Sequence, residues 1–201
     1  MVNLAGIKDG NVVLDPFCGS GTILMEAVLA TKAKQIIGSD IEEKQISYTD
    51  KNNNWLVQEK ILSANDAKRF RTFTSDIIDI KNFLSPKTVD AVITEGYLGP
   101  PLHGDESQKT LDKNASEIQQ LWIESLKALK PILKDSAKLV IITPEYKTSG
   151  GHAKVNLDDF YKKLGFRKKN PDLGVFNAGQ NLSYHRENQF VKRNITILEL
   201  S

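Results

Sequence analysis

The sequence predicts a doubly wound α/β fold, on three observations. Short apolar runs that read as strands are separated by segments of helical periodicity, the succession expected of parallel strands and crossover helices. The first run, Val12-Val13-Leu14, ends at Asp15 and passes through Pro16-Phe17-Cys18-Gly19-Ser20-Gly21-Thr22 into the helical pattern Ile23 to Ala30. Strand, tight glycine loop and helix N-terminus bring backbone close to a nucleotide-like ligand. Glycine carries no Cβ, and the first helical N–H groups have no partner inside the helix. The second run, Gln35 to Ser39, closes at Asp40, 25 residues beyond Asp15. Such folds station an acid there, because an ionised carboxylate accepts from both ribose hydroxyls.

The remaining elements follow in order. Met1 to Ala5 reads as the tail of a helix stopped by Gly6, with a turn at Lys8-Asp9-Gly10. So little chain precedes it that the start reads as truncated, although Met1 is equally compatible with a native start. Asp40 has a second reading, as the cap of a helix from Glu42 to about Leu56. Asn52-Asn53-Asn54 within that helix predicts an irregularity, since asparagine is a poor helix former. Arg71 to Thr74 alternates as a strand and delivers Ser75-Asp76, ahead of a short segment Ile77 to Phe83. Asp90 to Thr94 is the fourth strand. Glu95 to Pro101 stands at its carboxyl end, where open α/β sheets bind ligands.

Leu102 to Lys113 is polar and aperiodic, and is expected to be a mobile loop. Ile118, Leu121, Trp122, Ser125, Leu126 and Leu129 recur at helical spacing until Pro131. Leu139 to Thr143 reads as a buried strand and Pro144 to Gly151 as loop. Asn156 is expected to cap a helix from Leu157 to Leu164, with Gly165 as terminator. Leu182 to Tyr184 and Asn194 to Leu200 suggest an antiparallel pair. With no repeat and no linker, residues 1–201 read as one domain.

Composition narrows the function classes. The chain has 201 residues, 40% hydrophobic and 26% charged, enough for one substantial core. A net charge of +2, from 27 basic and 25 acidic residues, does not announce nucleic-acid binding by bulk charge. A single cysteine excludes an internal disulfide and a Cys-rich metal site. Neither a membrane-spanning apolar run nor a signal-peptide pattern is present, so a cytoplasmic, reduced setting is the default expectation.

The loop Asp15-Pro16-Phe17-Cys18-Gly19-Ser20-Gly21-Thr22 lacks the Lys-Ser/Thr pair of a P-loop and the G-x-G-x-x-G dinucleotide spacing. It closely resembles motif I of class I S-adenosyl-L-methionine (SAM) methyltransferases, in the form found among amino-group RNA methylases. Gly38-Ser39-Asp40 resembles motif II and Ser75-Asp76 motif III. The pattern Tyr184-His185-Arg186-x-x-Gln189-x-Val191-x-Arg193 is similar to the closing hairpin of predicted RNA methylases related to the THUMP-containing tRNA guanosine-N2 methyltransferases. The resemblance implies a Rossmann-like sheet of seven strands with the last antiparallel, SAM as cofactor, and RNA, foremost tRNA, as partner. It also implies an upstream RNA-binding THUMP domain or partner subunit, absent from these 201 residues. The implied cofactor-binding residues are Asp15, Pro16, Cys18, Gly19, Gly21, Thr22, Asp40, Ile41, Ser75, Asp76, Ile77 and Glu95. Asp76 would accept from the adenine amino group, cap the segment after it, or do both.

The element diagnostic of that group is motif IV, Asp/Asn-Pro-Pro-Tyr/Phe, which handles an exocyclic amine. The amine is a poor nucleophile, so an acid and the next carbonyl accept its hydrogens and aim its nitrogen, while the aromatic ring stacks on the base. This chain reads Thr94-Glu95-Gly96-Tyr97 instead. Glu95 is one methylene longer than Asp, Tyr97 comes one position early, and Gly96 stands where proline is usual. Glu95 and Tyr97 are the expected catalytic pair, against the alternative of a plain strand-ending turn. Cys18 is read as a small buried residue, since carbon-5 methylation needs a thiol elsewhere. His103, His152 and His185 show no metal-ligand spacing, and no metal is expected. Lys162, Lys163, Arg167, Lys168 and Lys169 read as phosphate-tracking or, more often, as a solvated face. Exocyclic amino methylation of guanine N2 in tRNA is the first reading. An adenine-N6 type DNA methylase and a SAM-binding module without catalysis are its rivals.

Overall fold

A computed structural model describes residues 1–170, 182–187 and 189–201 of the chain. Helix α1 (Val2–Ala5) leads to strand β1 (Val12–Asp15), helix α2 (Thr22–Ala30), strand β2 (Gln35–Asp40) and helix α3 (Glu43–Gln58). A short helix α4 (Ala64–Ala67), strand β3 (Phe70–Thr74) and a 3₁₀ segment (Ile77–Asn82) precede strand β4 (Val89–Glu95). Helix α5 (Gln108–Leu129) then feeds strand β5 (Leu133–Thr148) and strand β6 (Gly151–Lys154). Helix α6 (Asp158–Leu164), strand β7 (Phe166–Lys168), strand β8 (Leu182–His185) and strand β9 (Val191–Leu200) complete the described elements.

The strands form one sheet in the order β3-β2-β1-β4-β5-β9-β7, with β6 added to β5 and β8 to β9. β1 pairs in parallel with both β2 and β4, so the strand order reverses between β1 and β4. The carboxyl ends of these strands therefore border a switch-point crevice. β9 runs antiparallel between β5 and β7. The expected seven-strand path with its reversed strand is present, and the full sheet among the described residues has nine strands because two hairpins extend it.

Alternate residues of the central strands feed cores on the two sides of the sheet. Leu14, Val92, Leu139 and Ile141 pack with Leu111, Ile118, Trp122 and Leu126 of α5. Val13, Ala91, Ile93 and Val140 pack with Leu24, Ala27 and Val28 of α2 and with Ile46 and Leu56 of α3. Each such side chain fully buried contributes about 1.5–3 kcal/mol. The run of apolar residues in β4 therefore reflects burial on both faces.

Several expectations are corrected. α3 runs unbroken through Asn52-Asn53-Asn54. Asn52 donates to the Ser20 carbonyl at 2.8 Å, so its amide serves a tertiary contact rather than competing with the helix. The stretch Leu102 to Lys113 is not all loop, because α5 begins at Gln108, capped by Ser107. Leu111 is the buried residue hidden in that polar run. The preceding turn is tied down by the Glu106 carboxylate, which accepts from the backbone N–H groups of His103 and Gly104. Pro144 to Gly151 is strand and hairpin instead of loop. Pro144 lies opposite Arg193 on β9, and its carbonyl accepts from Val155. α6 begins at Asp158, whose N–H donates to the Asn156 side chain at 3.0 Å, and Gly165 ends it at φ +83°.

Candidate active site

A cavity of about 520 Å³ opens at the carboxyl edge of β1, β2 and β4. Its floor is the glycine loop, held in shape by its own backbone and by α3. The Cys18 N–H donates to the Ser39 carbonyl at 2.9 Å and the Gly21 N–H to the Cys18 carbonyl at 2.8 Å. Gly21 has φ +87°, and a Cβ there would stand 2.8 Å from the Thr49 methyl. The Thr49 hydroxyl donates to the Gly19 carbonyl at 2.8 Å. Gly21 caps α2 without a side-chain bond, so the first N–H groups of that helix stay unclaimed by side chains.

Asp40 closes β2 at the side of the cavity. One carboxylate oxygen accepts from the Gly19 N–H at 2.9 Å and the other from the Glu42 N–H at 3.0 Å. A carboxylate has about four lone-pair sites, so two remain for hydroxyl donors. Asp76 accepts from the Ile78 N–H at 3.1 Å, which realises its capping role. The Ser75 N–H donates to the Asp40 carbonyl at 2.9 Å, joining the loops after β2 and β3. Ile41, 64% exposed, and buried Ile77 present apolar surface beside these acids, as a flat heterocycle requires.

Asp15 and Cys18 lie behind the wall. Asp15 is 1% exposed, and burial pushes its carboxyl up to about 7, with the charges of Asp40 and Glu95 acting the same way. Burial and the neighbouring Asp15 push the Cys18 thiol up to about 12, which leaves it protonated and unreactive.

Glu95 ends β4 at the opposite side of the cavity, and Tyr97, 56% exposed, stands at the rim. Gly96 between them has a steric reason. A Cβ there would lie 2.7 Å from the Trp122 ring, which meets Phe17 edge-on at 5.8 Å between centroids. The usual proline has no room beside this indole. The Glu95 carboxylate is held from the terminal hairpin. One oxygen accepts from Arg193 Nε at 2.9 Å and the other from the Tyr184 hydroxyl at 3.1 Å. Burial, with the Glu95 charge, raises the Tyr184 phenol above its ordinary value, so it remains a protonated donor.

Of the expected site residues, Pro16, Gly19, Asp40, Ile41, Ser75, Asp76, Ile77, Glu95 and Tyr97 line this one cavity. Asp15, Cys18, Gly21 and Thr22 do not reach it and act behind or below the loop. Phe17 of the glycine loop, Leu121 of α5, and Glu42 and Gln45 at the start of α3 also line it, although nothing in the sequence singles them out for the site. Tyr184 and Arg193 were visible only as part of the closing pattern. Among the described residues no His/Cys/Asp/Glu cluster suits a metal ion, and no helix is long and apolar enough to cross a membrane. Three of the five basic residues clustered around α6 and β7 are paired with acids. Lys168 pairs with Asp158, and Arg167 and Lys169 both pair with Glu199.

A sheet in this strand order, with a glycine loop after its first strand and acids closing the next three, defines the class I SAM-dependent methyltransferase class. The chain belongs to the family described as RMKL-like, methyltransferase domain, whose model matches residues 1–156. It is 32% identical over 148 residues to the tRNA (guanine(10)-N2)-dimethyltransferase of Methanocaldococcus jannaschii. That alignment covers 72% of this chain and 36% of the relative, so the chain spans little more than a third of that protein's length. A 47-residue stretch is 49% identical to the U6 snRNA (guanine-N(2))-methyltransferase THUMPD2 of Bos taurus, covering 23% of this chain and 9% of that one. The fold matches the crystal structure of TrmN from Thermus thermophilus with a TM-score of 0.62 at 19% identity, over 100% of this chain and 47% of that chain. The cofactor of this class is S-adenosyl-L-methionine, and the cavity fits it. It offers acids for ribose hydroxyls and an adenine amine, apolar surface for the ring, and room for the whole molecule.

Proposed function

We propose that this domain transfers a methyl group from SAM to the exocyclic N2 amine of guanine in RNA, foremost tRNA. The observation that carries the reading is that Glu95 and Tyr97 share one cavity with Asp40 and Asp76. An acceptor for an amine and a face for a base thus stand next to a nucleoside site. Asp40 holds the ribose hydroxyls, Asp76 takes the adenine amino group, and the glycine loop lets the rest of the cofactor lie against backbone. The bound cofactor supplies an electrophilic methyl on sulfur. Glu95 accepts an N–H of the target amine and so directs the nitrogen lone pair at that carbon. Tyr97 stacks on the extruded base, an interaction worth about 1–3 kcal/mol. Methyl transfer would leave a surplus proton on the amine, and the Glu95 carboxylate or water would take it. The names of the relatives, which act on guanine N2 of tRNA and U6 snRNA, support the choice of base.

RNA capture belongs largely to a further RNA-binding domain or a partner subunit. The near-neutral charge, and the pairing of Arg167, Lys168 and Lys169 with acids, support this division. The test is transfer of labelled methyl from SAM to bulk tRNA, followed by nucleoside analysis for N2-methylguanosine. Glu95→Ala and Tyr97→Ala should each slow transfer at least tenfold with SAM affinity nearly intact, and Tyr97→Phe should be mild because stacking survives. Parental rates in both alanine variants would place the base elsewhere. SAM binding without any transfer to RNA would make this a binding module.

A further inference from the structure

We infer that Tyr184 and Arg193, facing each other across the terminal hairpin, are positioning residues that clamp the Glu95 carboxylate in the orientation from which it meets the target amine. The inference rests on the reading of Glu95 as amine acceptor and adds the residues that make it effective. Both lie beyond the 1–156 segment matched by the family model.

Glutamate is a flexible acid, and a freely rotating carboxylate at the end of a strand aims poorly. Here both of its oxygens are engaged from one side. Arg193 Nε donates to one at 2.9 Å and the Tyr184 hydroxyl to the other at 3.1 Å. The clamp is itself braced. Tyr184 and Arg193 are direct register partners on β8 and β9, and the guanidinium lies 5.4 Å from the Tyr184 ring centroid. A second guanidinium nitrogen of Arg193 donates to the Gln189 side chain at 2.8 Å. Two directed bonds from one planar group suit arginine and not lysine. The Arg193 side chain is 10% exposed and that of Glu95 31%, and the open side of Glu95 faces the cavity. Each carboxylate oxygen spends one lone pair on the clamp and keeps another for a substrate donor.

The clamp also accounts for glutamate in place of aspartate. β9 is separated from β4 by β5 in the sheet order, so the acid must reach towards the hairpin as well as into the cavity. Shortening it by one methylene withdraws it from Arg193 and Tyr184. Glu95→Asp, the acid usual at this motif position, should therefore be slower here than the parent.

Two measurements test the inference. In single-turnover transfer to tRNA, Tyr184→Phe should slow the rate several-fold, and Arg193→Lys and Glu95→Asp tenfold or more, with SAM affinity within twofold of the parent. In the Glu95→Ala background the same Tyr184 and Arg193 changes should alter the rate less than twofold, because there is no acid left to position. Tyr184→Phe keeps the ring and removes one hydroxyl, so it remains informative if an Arg193 variant fails to fold. Parental rates in Tyr184→Phe and Arg193→Lys, or full extra losses in the Glu95→Ala background, would overturn the inference. The second measurement needs no activity. The Arg193 Nε–H resonance in a ¹⁵N spectrum of the parent, assigned with Arg193→Lys, should be protected from exchange and lose that protection in Glu95→Asp. A freely exchanging Nε–H in the parent would sink the clamp. A parent that transfers no methyl would sink the methylase reading alone.

Discussion

Replacing Asp15 by Asn should remove a large part of the pH dependence of stability between pH 5 and 8. Asp15 is 1% exposed, and its carboxyl is pushed from 3.8 up to about 7, chiefly by burial and further by the charges of Asp40 and Glu95. The folded chain thus keeps a proton that the unfolded chain loses above its lower value. Stability from this group is complete below the unfolded value and is lost as pH rises through the folded one, after which the slope vanishes. At about 1.36 kcal/mol per unit, the parent should lose on the order of 2–3 kcal/mol from this residue between pH 5 and 8. Asn at this position does not titrate and keeps an oxygen for the Phe17 N–H, which now donates to Asp15 at 3.1 Å. Urea melts of both proteins at several pH values provide the assay, because contributions from all other groups largely cancel in the difference. Asp15→Asn should gain on the parent steadily up to about pH 7 and then level off. A stability difference independent of pH would refute the reasoning.

Three further outcomes follow from the same geometry. Asp40→Ala should weaken SAM binding at least tenfold in calorimetry, since hydrogen bonds to charged groups are worth about 1.5–3 kcal/mol each. Unchanged affinity in a folded variant would dismiss the ribose role. Gly96→Ala should destabilise by about 1–3 kcal/mol, because its Cβ would meet the Trp122 ring at 2.7 Å. In the Trp122→Phe background the penalty should shrink, and a penalty equal in both backgrounds would remove Trp122 as the cause. Cys18, with its thiol pushed up to about 12, should resist thiol reagents at pH 8 in the folded protein and react once it is unfolded. Prompt modification of the native chain would contradict its burial.

Sequence alone determined the parts of this protein that local chemistry enforces. The run from Asp15 to Thr22 carries its own instructions, because a strand-to-helix turn against a ligand needs glycine and an apolar strand needs burial. Asp40 and Asp76 were legible for a similar reason: Asp40 closes β2, although α3 then starts from Glu42 with no side-chain cap, and Asp76 comes just after β3 and caps the 3₁₀ segment. Glu95 and Tyr97 stood out by their place after the fourth strand. What escaped the sequence depended on partners far along the chain. Leu111 sits in a polar run and becomes core only because α5 packs it against the sheet and the 3₁₀ segment, in one cluster with Ile80, Tyr146 and Ala153. Pro144 reads as a breaker, yet its strand continues because β9 supplies a neighbour along its length. The asparagines of α3 stay helical because Asn52 finds Ser20, 32 residues away. Gly96 looks like a defect until Trp122 fills the space beside it. The contact between Glu95 and Arg193 spans 98 residues and three strands of the sheet, and no periodicity records such a distance. Local pattern thus decided which loops would meet at the carboxyl edge, and the packed sheet decided which side chains hold the acid there.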